Sequence, residues 1–136
     1  IFPSYENFVS GEGLLNIYKS IKNLKDSKNF KDPGGYVRKK AKEGEKEGME
    51  AIKFYFLALA LYCQTLALAL KPLKGIFFGG KAIKRNFEFF PKKEFIEIFT
   101  NHPKQEKLLK KIPIYFIKKD LIFEGLLYFY KFNEKS

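Results

Sequence analysis

The feature that most restricts what this chain can fold into is the run Phe54–Leu70, FYFLALALYCQTLALAL, 17 residues that are apolar almost without a break. A bilayer span needs about 20 residues. This run is shorter, is interrupted by Gln64 and Thr65, and is closed at its two ends by Lys53 and Lys71. A helix that is apolar nearly all round is also what the middle of a packed domain requires. The run therefore predicts a buried helix with no membrane partner, and the other elements must be arranged around it.

The flanking sequence supplies those elements. Ser10-Gly11-Glu12-Gly13 precedes Leu14, Leu15, Ile17, Tyr18, Ile21 and Leu24, the spacing of an amphipathic helix reaching about Asn23. Lys25–Gly35 is polar and ends in Pro33-Gly34-Gly35, which predicts a surface loop. A second helical pattern starts near Tyr36. Continued unbroken to Leu70 it would be about 52 Å long at 1.5 Å per residue, so a turn is expected around Glu43–Glu45. Beyond Pro72, Gly75-Ile76-Phe77-Phe78-Gly79-Gly80 reads as a short buried strand ending in a turn. Lys81–Phe90 and Lys92–Asn101 read as helices, with Phe87, Phe90, Phe95, Ile98 and Phe99 facing the core and Pro91 opening the second. Ile112–Ile117 is β-branched and aromatic, with Pro113 suited to a strand start, and a last helix is expected over 123–132. Helices alternating with buried strands predict an α/β layer structure without internal repeats.

Composition narrows the function classes. In 136 residues, 46% are hydrophobic and 30% charged, enough for a core and against disorder. The length fits one domain or a piece of one. The net charge of +11 raises the question of a nucleic-acid partner, but among the 26 basic residues only Arg38 and Arg85 are arginines. Lysine is a solvated point charge without the guanidinium fork that reads bases and clamps phosphate, so no specific nucleic-acid partner is expected. Cys63 is the only cysteine and His102 the only histidine. A disulfide framework and a paired-ligand zinc site are thereby excluded, and a reducing, cytoplasmic location is expected. Ile1–Tyr5 lacks the pattern of a secretory signal, and a chain opening on Ile1 reads as a fragment or a processed product.

Several pieces together carry a resemblance: Glu6-Asn7-Phe8-Val9-Ser10-Gly11-Glu12-Gly13-Leu14, Leu66–Leu70, Ile76–Gly80, Arg85–Phe90, Phe95 and Phe99, Ile112–Ile117, and then Asp120 and Gly125. In order and spacing, across nearly the whole chain, they resemble the C-terminal part of bacterial-type glucokinases, members of the sugar-kinase, heat-shock-protein and actin superfamily. The resemblance implies part of a ribonuclease-H-like lobe and, in the complete protein, phosphorylation of glucose by ATP with Mg²⁺. It also implies an N-terminal lobe outside this chain, against which the helix 123–132 would pack. That lobe would bring the phosphate-binding hairpin and the catalytic aspartate, so no catalytic residue is expected here. The chain alone is expected to be inactive and, with an apolar face left uncovered, to associate as a homo-oligomer.

Two groups of site residues follow from the resemblance. On the sugar side, the family's glutamate four residues before a Ser-Gly pair falls on Glu6, and Ser10 and Gly11 complete the turn. A carboxylate suits that place because it accepts two hydroxyl hydrogen bonds with charge assistance; without the family, Glu6 would read as a helix cap. On the nucleotide side, Gly79 and Gly80 would form the adenosine turn, where missing side chains admit the ligand to the backbone. Lys81 stands where many family members have the second glycine. It would either crowd the adenosine or offer charge to a phosphate. Three other readings stay open: a sugar-binding or regulatory protein without turnover, a sister kinase acting on another hexose, and a basic nucleic-acid-associated module whose binding would fall steeply with salt.

Overall fold

The computed structural model describes residues 11–25, 30–71, 75–78, 81–117 and 129–131. The chain divides into two compact units, Ile1–Leu59 with Asn86–Pro91 and Ala60–Arg85 with Lys92–Ser136.

The first unit is helical. Helix α1, Gly11–Ile21, buries Leu14, Leu15 and Tyr18, as the apolar stripe predicts. Helix α2, Pro33–Lys42, buries Gly34, Val37 and Ala41. Its start corrects the expected surface loop: Pro33-Gly34-Gly35 is the first turn of α2, and Gly34 is buried. The physical reason is local. Proline at the first helical turn loses no hydrogen bond, and the side chain of Asp32 caps the helix by accepting the Gly35 N–H at 3.1 Å. The turn expected around Glu43–Glu45 is present. It contains Gly44 at φ +88°, a conformation that costs glycine little, and helix α3 follows over Lys46–Leu70. In this unit α3 buries Ala51, Ile52, Tyr55, Phe56 and Leu59. The rings of Phe56 and Phe90 meet edge-on at 5.1 Å, and Phe87 stacks on Phe90 at 5.0 Å.

The second unit takes the rest of α3, where Ala60, Cys63 and Ala67 continue the buried face at helical spacing. Cys63 is fully buried, as a small apolar residue would be. Strand β1, Ile76–Phe78, is followed by helix α4, Lys81–Asn86, and then by a 3₁₀ turn at Phe87–Phe89 that returns the chain to the first unit. Helices α5, Lys92–Thr100, and α6, Glu106–Lys110, lead to strand β2, Ile114–Ile117. The short α6 carries no periodic signal long enough to predict. Strands β1 and β2 pair in parallel with Ile76 opposite Ile114, which requires a crossover of the kind that α4 to α6 provide. Pro113 sits just before β2 and its carbonyl accepts the Ile76 N–H at 2.9 Å.

One element contradicts its expectation. Residues 129–131, expected as the end of a helix over 123–132, form strand β3, Phe129–Lys131, which pairs antiparallel with β2. A segment apolar on more than one face fits a strand as well as a helix, and its aromatic residues favour the sheet. The rest of that expected helix, 123–128, lies outside the described residues. The described strands form a mixed sheet in the order β1-β2-β3, and with the helices they give an α/β arrangement.

Helix α3 is long and apolar enough to cross a membrane by length and composition. Its burial is one-sided, as for a helix laid on a core: Phe54 is 50% exposed and Leu61 55%, away from the buried stripe. The two residues that interrupt the apolar run have local uses. Thr65 donates to the carbonyl of Leu61 one turn back at 3.0 Å. Gln64 Nε2 donates to the carbonyls of Ile98, Phe99 and Asn101 at 3.3, 3.1 and 2.9 Å, adding a side-chain donor at the end of α5, where the Ile98 carbonyl also accepts the Asn101 N–H at 3.3 Å.

Candidate functional site

Of the six residues assigned to the site by resemblance, Glu6, Ser10, Gly79 and Gly80 lie outside the described residues. Gly11 and Lys81 are described, Gly11 in the first unit and Lys81 in the second.

Gly11 is the first residue of α1. It lies against the start of α2 with almost no space between the two backbones. A Cβ built on Gly11 would stand 3.2 Å from the Gly34 nitrogen and 3.5 Å from its Cα, and one built on Gly34 would stand 3.1 Å from the Cα of Gly11. The shortest of these distances are tighter than ordinary side-chain contacts, and the atoms on both sides are backbone. Turn chemistry alone assigns Gly34 no further role. The signal that finds it is the Asp32-Pro33 pair, which marks a helix start and so puts Gly34 inside an element.

The same helices meet in a polar and aromatic cluster that spacing alone could not reveal. Tyr18 on α1 donates its hydroxyl proton to Glu45 Oε1 at 2.5 Å, and Lys22 Nζ lies 3.4 Å from Glu45 Oε2. The Tyr18 hydrogen bond holds the Glu45 carboxyl below the usual carboxylate range. Partial desolvation opposes that shift, while Lys22 and Lys40 support it. Burial, followed by the hydrogen bond to Glu45, pushes the Tyr18 phenol well above its ordinary value. Tyr36 of α2 meets Tyr18 edge-on at 5.8 Å, and the Lys40 ammonium sits 5.6 Å from the Tyr36 ring centre. The cluster locks α1, α2 and the start of α3 together, which fixes the frame from which Gly11 projects.

Lys81 is the first residue of α4, which follows β1 in the chain. In open α/β sheets the C-terminal end of the strands is where ligands bind. The central pairing of the unit supports this strand: Ile76 and Ile114 are both buried, and they lie opposite each other in the β1–β2 register. The fully buried rings of Phe95 and Phe99 on α5 lie in the same unit. Among the described residues no three His, Cys, Asp or Glu side chains come together as metal ligands. His102 is a turn residue: its Nδ1 accepts the backbone N–H groups of Lys104 and Gln105 at 3.2 and 3.1 Å.

A helical chain with a mixed sheet, a glycine-started helix in one unit and a strand followed by a helix in the other defines the α/β class, but many activities would fit it. Comparison with known proteins narrows it. The glucokinase family profile matches residues 3–127, and the chain belongs to that family. A glucokinase of Paramagnetospirillum magneticum is 28% identical over 125 residues, which is 90% of this chain and 39% of that protein. A glucokinase of Shigella flexneri is 27% identical over 126 residues, 91% of this chain and 38% of that protein. The bifunctional protein glk of Paraburkholderia xenovorans is 28% identical over 116 residues, 84% of this chain and 18% of that protein. The chain thus spans about two fifths of the length of these glucokinases.

Proposed function

We propose that this chain is the C-terminal portion of a cytoplasmic glucokinase-type sugar kinase, contributing sugar contacts and part of the nucleotide site to the ATP-dependent phosphorylation of glucose to glucose 6-phosphate. The observation that carries the reading is the family match over residues 3–127, which includes both candidate groups. In this reading the second unit is part of a ribonuclease-H-like lobe. The general base and the phosphate-binding hairpin come from the rest of the complete protein.

The division of labour follows from chemistry. Glu6 accepts hydrogen bonds from two sugar hydroxyls, and Ser10 and Gly11 complete the turn that presents it. Phosphoryl transfer depends mostly on positioning and electrostatic stabilisation rather than on covalent participation by the protein, so holding the sugar hydroxyl in line is itself a catalytic contribution. Gly79 and Gly80 admit adenosine to the backbone, and Lys81 adds a positive charge at the same turn. Mg²⁺, when bound to the nucleotide, neutralises charge on the transferring group. The described residues gather no ligand set for that ion.

The test is a glucose titration of the complete protein and its Glu6→Gln variant, with melting curves alongside. The amide keeps the shape but replaces a charged double acceptor by one acceptor and one donor. A lost charge-assisted hydrogen bond of about 1.5–3 kcal/mol weakens glucose about ten- to a hundredfold, with the melting temperature unchanged. Unchanged glucose affinity would end the assignment of Glu6, and a fall in melting temperature alone would make it a helix cap.

A further inference from the structure

We propose that Lys104, Lys107 and Lys111 form a basic face on the second unit that holds the phosphate backbone of a nucleic acid without reading its sequence. The inference goes beyond the proposed kinase reaction and does not depend on it.

The face begins with charge. The net charge of +11 leaves many lysines without a carboxylate to balance them, and in this unit the described carboxylates are only Glu94, Glu97 and Glu106. Between residues 101 and 111, Lys104, Lys107, Lys110 and Lys111 are all exposed. Lys110 is answered by Glu106 one turn back at 3.2 Å. Among the described residues the other three make no ion pair. Lys107 and Lys111 are four residues apart and so share one side of α6, with Lys111 keeping helical dihedral angles as the residue that ends it. Lys104 stands three residues before Lys107, on the turn into that helix.

This segment is held from beneath. Leu109 and Ile112 are fully buried, and the turn that carries Lys104 is tied by His102, whose Nδ1 accepts the N–H groups of Lys104 and Gln105. A face already ordered loses less freedom when it binds. Its place in the fold is equally defined. Lys111 comes three residues before β2, and Ile76 at the start of β1 donates its N–H to the carbonyl of Pro113, so the face lies where both parallel strands begin. Open α/β sheets take their ligands at the other end.

Two properties select the partner. Ammonium groups attract phosphates as point charges and lack the fork that reads base edges, which suits a repeating phosphate chain of any sequence. An anionic membrane is the rival, but stable attachment there takes an apolar anchor beside the basic patch. Among the described residues the exposed large hydrophobic side chains are Leu24, Met49, Phe54, Leu61 and Leu70, and none falls within 101–111.

The experiment titrates the complete protein into short fluorescent DNA duplexes of two unrelated sequences over a range of salt concentrations. It compares wild type with the triple variant Lys104→Gln/Lys107→Gln/Lys111→Gln. The control is Lys25→Gln/Lys31→Gln/Lys39→Gln, which removes the same charge from exposed positions in the first unit. Wild type is expected to bind both duplexes alike. In the face variant the slope of log affinity against log salt shrinks by about 0.9 per lysine, about 2.7 in all, and affinity at low salt falls at least about tenfold, while the control keeps the wild-type slope. An equal loss in the control overturns the proposal, because net charge alone would then account for binding. Failure of wild type to bind either duplex at low salt overturns it too, and binding instead to vesicles of phosphatidylserine and phosphatidylcholine would assign the face to a membrane. If the face variant does not fold, acetylation of wild-type lysines decides. Protection of Lys104, Lys107 and Lys111 by the duplex, with Lys25, Lys31 and Lys39 still labelled, supports the proposal, and equal labelling with and without duplex overturns it.

Discussion

In the first unit the link between α1 and the start of α3 passes through an ionised group: the Tyr18 hydroxyl donates to Glu45, whose other oxygen meets Lys22. In the second unit, further along the same helix, Gln64 serves the end of α5 with a neutral amide shared among three carbonyls. The difference follows from what each place needs. A helix end offers carbonyls without partners, and an amide donor suits them without bringing a charge into a half-buried site. The Tyr18 phenol is buried but opens onto a carboxylate that is still partly wet, where a charge is tolerated and strengthens the bond. One unit is therefore held by a contact that titrates and the other by one that does not.

Removing the titrating contact should have the largest effect on this comparison. Tyr18→Phe is expected to cost about 1.5–3 kcal/mol, the range for a hydrogen bond to a charged group, measured by denaturant unfolding at neutral pH. Because the Glu45 carboxyl is held below its ordinary value in the folded state, its contribution is present above the unfolded carboxylate range of about 4.3 and is lost as pH falls through the lower folded value. The difference between wild type and Tyr18→Phe should accordingly shrink on acidification. At the alkaline end the sign reverses: the Tyr18 phenol is raised in the folded state, so its contribution holds below about pH 10 and is lost as the pH climbs further. A gap between the two proteins that is flat across the acidic range would remove Glu45 from the explanation.

Gln64→Leu should show the opposite character. The freed carbonyls can reach water in part, so a loss of about 1 kcal/mol is expected, with amide exchange quickening at the end of α5. Since no titrating group takes part, that loss should stay constant with pH; a loss that grew on acidification would break the contrast. The smallest effect is expected from Lys42→Ala. It removes a 3.4 Å ion pair with Glu88 whose two side chains are each more than half exposed, and such pairs contribute about 0–1 kcal/mol and weaken with salt.

Much of this frame is legible in the chain. The stripe of α1, the turn at Gly44 and the strand over 114–117 follow from spacing, from a glycine among charges and from a β-branched aromatic run. The start of α2 is hidden because Pro33-Gly34-Gly35 has the chemistry of a turn, and only the capping Asp32 before it marks a helix. Strand β3 is hidden because Phe129 and Tyr130 satisfy either period, and only pairing with β2 decides between them. The family is legible in collinear motifs, and the roles of Glu6, Ser10, Gly11, Gly79, Gly80 and Lys81 are what that resemblance implies, whereas the seat of Gly11 on Gly34 comes from tertiary structure. Twenty-three residues of separation leave no periodic trace of such a contact.

The burial of Cys63 gives the second unit a chemical clock. Its thiol is fully enclosed and burial pushes its pKa well above the ordinary value, so the thiolate that alkylating reagents attack is scarce while the helix stays closed. Modification then proceeds only through excursions in which this stretch of α3 opens, and the rate at which a thiol reagent is consumed becomes a direct count of those openings. A single cysteine makes that count unambiguous.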